Sequence, residues 1–195
     1  RGFHNPFAMQ YAGARFSCSS LPDKAMKQQF QMLAAYNLWA NARIYDAAET
    51  LDPDALDRDI GLYFKSLLRT LNHILVGDLI WMKRFTGEGA SPGALDTILH
   101  SALPALRIAR DDEDKRIVEW IDSLDEAAFS GRFTYVTVTD VRTVSQRLAP
   151  ALVHFFNHQT HHRGHAHMIL SVLGHEPPPL DLIYFLRTDE GQSFM

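Results

Sequence analysis

From Met26 to Leu51 the segment MKQQFQMLAAYNLWANARIYDAAETL places Phe30, Leu33, Ala34, Asn37, Leu38, Asn41, Ile44, Tyr45 and Ala48 three or four residues apart. That is the period of one face of an α-helix and not the alternation of a strand. Three more segments of similar length follow, so the chain must bury four long helical faces against one another. An all-α helix bundle is the architecture that does this with loops of modest length.

The boundaries come from breakers. Asp52, Pro53 and Asp54 end the first segment, with Asp57 and Asp59 in the connection that follows. A second helix is expected from about Leu62 to Phe85, apolar around most of its circumference except for His73 and Asp78, as befits a central helix. The loop TGEGASPG closes it. A third helix is expected over Leu103–Leu124, with Ile117, Val118, Trp120 and Ile121 inward and the polar run RDDEDKR, residues 110–116, on its exposed side. The stretch RFTYVTVTDVRTVS then changes to a period of two, as a short hairpin does: Phe133, Tyr135, Val136, Val138, Val141 and Val144 are set among threonines. A fourth helix is expected from near Ser145 to Leu173, stopped by Gly174 and the prolines beyond it. LDLIYFLR supplies a short terminal helix or turn. Residues 1–25, with scattered Pro, Gly and Ser and no continuous apolar block, are expected to be an N-terminal extension to a domain spanning 26–195.

Composition narrows the function. With 46% hydrophobic and 22% charged residues the chain is an ordinary globular one. A formal net charge of -4 without long basic runs argues against nucleic acid and against an anionic membrane surface. No stretch approaches the roughly 18 to 20 apolar residues of a membrane helix, and the cytoplasm is the expected location. One cysteine, Cys18, excludes internal disulfides and multi-thiolate metal sites, so any metal must take nitrogen or oxygen ligands.

Nitrogen ligands are abundant in one place. The word HFFNHQTHHRGHAH, residues 154–167, holds six of the ten histidines. On a helical wheel with His154 at zero, Leu148, Leu152, Phe155, Ala166, Leu170 and Leu173 define a buried direction near roughly 125°. His162 then falls at about 80° and His158 at about 40°, while His165, His154 and His161 drift toward the rim. His158 and His162, at i and i+4, are the pair best placed to share an ion. Spacing alone fits stacked polar rim residues equally well. An open metal site takes three protein ligands, so a third must come from another helix. His73 is available there, but its neighbours are apolar on nearly every side and periodicity does not orient it.

AAYNLWANARIYDAAETL, LLRTLNHILVGDLIWMKRF and NHQTHHRGHAHMILSVLG, in that order and spacing from about Met26 to Leu173, resemble the DinB-like (YfiT-like) superfamily. The resemblance implies a four-helix bundle of up-down-down-up type. It also implies one divalent metal held by three histidines, which by position are His73, His158 and His162, the last two being those the wheel selects. Many relatives carry glutamine where this chain has His165, a change that adds either a supporting donor or an alternative ligand, and His161 lies at the site's edge. Asp78 and Arg163 could support the site, although salt-bridge or capping roles suit them better, and Trp39, Trp81, Phe155 and Phe156 suit a core. Three imidazoles suit zinc or nickel, with copper and iron also compatible.

Characterised members of the superfamily are thiol-dependent enzymes, including mycothiol-dependent isomerases and bacillithiol S-transferases. The resemblance therefore implies a metal-dependent thiol transferase or hydrolase acting on a small-molecule substrate, with a low-molecular-weight thiol as cofactor, and a homodimer. The alternative is a non-enzymatic, stress-associated dimeric bundle with a structural metal, which requires a closed coordination sphere. Di-iron and zincin chemistries are excluded because neither Glu-x-x-His pairs nor His-Glu-x-x-His occurs.

Overall fold

The computed structural model describes residues 25–138 and 140–195; the extension expected over 1–25 lies outside the described residues except for Ala25, which opens the first helix. The elements are α1 (Ala25–Ala48), α2 (Pro53–Leu56), α3 (Leu67–Thr86), α4 (Leu103–Ser123), β1 (Arg132–Val136), β2 (Thr143–Arg147), α5 (Leu148–Val172) and α6 (Leu182–Phe185). A 3-10 turn at Glu126–Ser130 precedes the hairpin and another at Gly191–Phe194 ends the chain. The protein is thus mostly helical with one small antiparallel sheet.

α1, α3, α4 and α5 are the long helices; α1 and α3 each pack against both α4 and α5. Their apolar faces form two clusters. One is mainly aliphatic and includes Ile44, Tyr45, Leu71, Leu75, Leu106 and Leu170. The other is rich in aromatics and includes Phe30, Met82, Ile117, Phe129, Phe155 and Phe156. Between them, at one level on all four helices, lies a buried polar layer. Arg110 of α4 donates to Asp78 of α3 at 2.6 Å and pairs with Asp114 at 3.0 Å. Asn37 and Asn41 of α1 donate to Asp114 at 3.0–3.1 Å. Arg163 of α5 donates to Asn37 and Asn41, and Gln159 donates to Asp78. Burial pushes both carboxyls above their usual range, with Arg110 offsetting part of the shift. Two carboxylates among two guanidiniums keep the layer balanced, and buried charge persists only when paired this way.

This layer corrects the expectation for the third helix. Of the run RDDEDKR, Arg110, Glu113 and Asp114 are buried. Ile117 and Ile121 do point inward, whereas Val118 and Trp120 are only half-buried. The expected start of the second helix at Leu62 is also corrected. Residues 57–66 form a connection in which Asp59 accepts from the Gly61 amide at 2.9 Å, and α3 begins only after Ser66, whose hydroxyl accepts from the Arg69 amide at 3.2 Å. The first helix stops at Ala48, and Pro53 opens the separate turn α2.

The hairpin pairs Arg132 with Arg147 through Val136 with Thr143. Its inward residues Phe133 and Tyr135 lie against Phe85 and Trp81 of α3, with ring centroids 5.2 and 5.4 Å apart. β2 runs straight into α5, which therefore starts at Leu148 and not near Ser145. α5 ends at Val172, and Gly174 just beyond it, with a φ of 83°, takes the left-handed conformation that lets the His175 amide reach back to the Leu170 carbonyl at 3.0 Å. α6 brings Phe185 onto Tyr36 and Trp39.

Candidate metal centre

Each histidine-bearing helix is oriented by its polar-layer neighbour. On α3 Asp78 follows Gly77, and on α5 Gln159 follows His158 and Arg163 follows His162. A one-residue step turns a helix by about 100°, so holding Asp78, Gln159 and Arg163 in the interior aims the preceding positions at the α3–α5 seam. There the rings of His73, His158 and His162 meet. Centroids are 4.4 Å apart for His73–His162 and His158–His162, and 5.2 Å for His73–His158. One ring nitrogen from each falls within 4.8 Å of the others. The structure brings together all three residues singled out from the sequence.

The tautomer of His73 follows from its partner. A backbone carbonyl only accepts, so the 2.8 Å contact between His73 Nδ1 and the Leu95 carbonyl requires hydrogen on Nδ1. Nε2 then carries a lone pair, and it faces His162 Nε2 at 3.1 Å. Burial is the main cause that lowers the pKa values of His73, His158 and His162, the last two to about 4 and about 3, with neighbouring histidines adding to it in each case. At neutral pH the rings are uncharged bases whose nitrogens converge. Each neutral ring keeps one N–H and offers one lone pair, so the 3.1 Å contact is satisfied by a hydrogen bond from His162 or by a cation that takes a lone pair from each ring. The donor set therefore fits a borderline divalent metal.

The surroundings complete the site. Phe64 stacks on His73 with centroids 4.0 Å apart and meets His162 edge-on at 5.5 Å. Gly77, one turn after His73, leaves room for His158: a Cβ there would lie 2.8 Å from its Cε1. Asn72 accepts from the amides of Leu99 and His100 at 2.8 and 3.0 Å, which pins the loop carrying Leu95. All three rings line a cavity of about 880 Å3, walled also by Lys65, Arg69, Asp96 and Val138 of the hairpin tip. His161 and His165 lie on the same cavity, the first exposed and the second half-buried.

A family model for the DinB family matches residues 26–192. The chain belongs to the DinB family. Protein DinB of Bacillus subtilis (strain 168) is 25% identical to it over 160 residues, which cover 79% of this chain and 91% of that relative. Sequence reasoning on this DinB chain missed Phe64, Gly77, Asn72 and the Leu95 carbonyl. Gly77 alone carried a signal, as a glycine one turn from a histidine inside a helix. Asp78 and Arg163, considered as supports of the site, act through the polar layer, where Asp78 accepts from Arg110 and Gln159 and Arg163 donates to Asn37. Phe155 and Phe156 are core, and Trp39 and Trp81 are half-buried beside it. No helix among the described residues is long and apolar enough to cross a membrane.

Proposed function

We propose that this DinB-family protein is a metal-dependent enzyme of the thiol S-transferase type, with His73, His158 and His162 as ligands of one divalent ion, zinc or nickel. The observation that carries the reading is the lone pair of His73 Nε2 facing His162 Nε2 at 3.1 Å beside the third ring, at the wall of a cavity. A divalent ion on three neutral imidazoles lowers the pKa of a thiol or water that reaches it. The chain's own residues do the remainder. The Leu95 carbonyl fixes the His73 ring, Phe64 shields its face from water, and Lys65 and Arg69 offer positive charge to an anionic substituent of a small-molecule substrate or thiol cofactor. A closed structural site would have no cavity against its ligands, so the cavity favours the enzymatic reading over a dimeric binding protein.

The proposal extends to an up-down-down-up four-helix bundle. In its support, α1 and α5 lead from the aromatic cluster to the aliphatic one while α3 and α4 lead the opposite way. It also includes a cytoplasmic homodimer, which light scattering checks.

The test is an S-transfer screen of the protein loaded with one equivalent of zinc or nickel, using several low-molecular-weight thiols and a common electrophile. Metal-dependent thiol consumption that is lost in His158→Ala is expected. Silence with every thiol contradicts the transferase reading.

A further inference from the structure

Among the described residues, His162 belongs to two histidine triads, the second comprising His161, His162 and His165. The two nitrogens of its ring serve different neighbours. Nε2 lies 3.1 Å from His73 Nε2, and Nδ1 lies 3.3 Å from His165 Nδ1. At 3.3 Å the second contact lies just beyond the roughly 2.7–3.2 Å of ordinary N–H···O hydrogen bonds. It matches the separation of about 3.3–3.4 Å between two imidazole nitrogens that each sit about 2.0–2.1 Å from one tetrahedral ion. His161 and His165 stand one turn apart on α5, with centroids 4.5 Å from each other and 4.7 and 5.2 Å from His162. Neither ring is tied to a carboxylate or a carbonyl among the described residues.

We propose that His161, His165 and Nδ1 of His162 form a second divalent-metal site at the rim of the cavity, sharing the His162 ring with the inner triad. An all-nitrogen donor set takes copper, zinc or nickel and not calcium or magnesium. With ions on both sides, neither nitrogen of His162 keeps hydrogen, so the ring proton leaves to solvent. The rim site binds more weakly than the inner one, because all three of its ligands come from one helix and His161 is exposed and His165 half-buried, whereas the inner triad joins two helices. It depends on the inner triad only through His162 and stands apart from the proposed S-transfer activity.

Equilibrium dialysis of the full, tag-free chain against copper(II), followed by elemental analysis, tests the site. Two equivalents are expected for the natural chain, one for His161→Ala/His165→Ala, and one for His73→Ala/His158→Ala. The rim side chains face solvent, so the fold is retained, as circular dichroism checks; His161→Gln alone is expected to weaken the second equivalent at least tenfold. Uptake that stops at one equivalent in the natural chain, or stays at two in the rim double variant, overturns the proposal. Failure of the inner triad shows separately, as unchanged uptake in His73→Ala/His158→Ala. The shared ring has its own readout: two coppers bridged by His162 give a magnetically coupled spectrum with reduced electron paramagnetic resonance intensity per copper. Two additive, uncoupled signals contradict the bridge.

Discussion

At Gly77 stability and ligand geometry pull apart. Alanine is the better helix former by about 1 kcal/mol, but its Cβ would stand 2.8 Å from the Cε1 of His158. The contact is with the end of a rotatable side chain, so the ring swings aside and the backbone stays. Gly77→Ala is therefore expected to leave the fold intact, with unchanged or slightly higher stability, while weakening metal binding about tenfold or more. Isothermal titration and chemical denaturation on the same samples check both signs. The histidines themselves predict a pH dependence. His158 and His162 titrate near about 4 and about 3 in the folded protein, against about 6.5 in an unfolded chain. Between those values the unfolded state binds more protons, so stability of the metal-free protein is full above about pH 6.5 and falls as pH drops toward 4. Denaturation at pH 7 and pH 5 should show a loss on the order of 1 kcal/mol per ring. His158→Gln should remove its share.

Helix by helix, the polar layer is what sets rotation. Asp114 accepts from Asn37 and Asn41 on α1 and pairs with Arg110 on α4, while Asp78 ties α3 to Arg110 and to Gln159 on α5. Asp114→Ala leaves Arg110 with one buried partner fewer, and a loss of about 3–5 kcal/mol in denaturant unfolding is expected. By contrast, the exposed pair of Arg142 with Asp140 is screened by water, and Arg142→Ala should leave the unfolding midpoint in the same assay unchanged. The layer also marks where the sequence could not be read. A run such as RDDEDKR looks solvated because the partner carboxylate of Arg110, Asp78, is 32 residues away on another helix. His158 and His162 were legible because α5 has a wet face and a dry face, so periodicity points. α3 buries residues all round, from Leu67 to Met82, and the direction of His73 came only from resemblance to relatives. Phe64 and the Leu95 carbonyl sit in connections whose closure over His73 is a tertiary event with no local signature.

For the molecule as a whole, the long helices place two apolar clusters around a charged layer, with the histidine triad at its α3–α5 edge beside a cavity. An ion held by both helices stabilises the folded state by mass action, about 2.7 kcal/mol at a free concentration one hundred times Kd. Thermal unfolding with and without zinc should then show a rise of several degrees that is lost in His73→Ala, a residue far along the chain from the histidine-rich helix. The most direct measurement is elemental analysis after exhaustive dialysis of the natural chain and of His73→Ala, His158→Ala and His162→Ala. Three imidazoles converging on one ion predict one tightly held equivalent in the natural chain and none in any of the three variants. A full equivalent retained by any one of them would contradict the shared site.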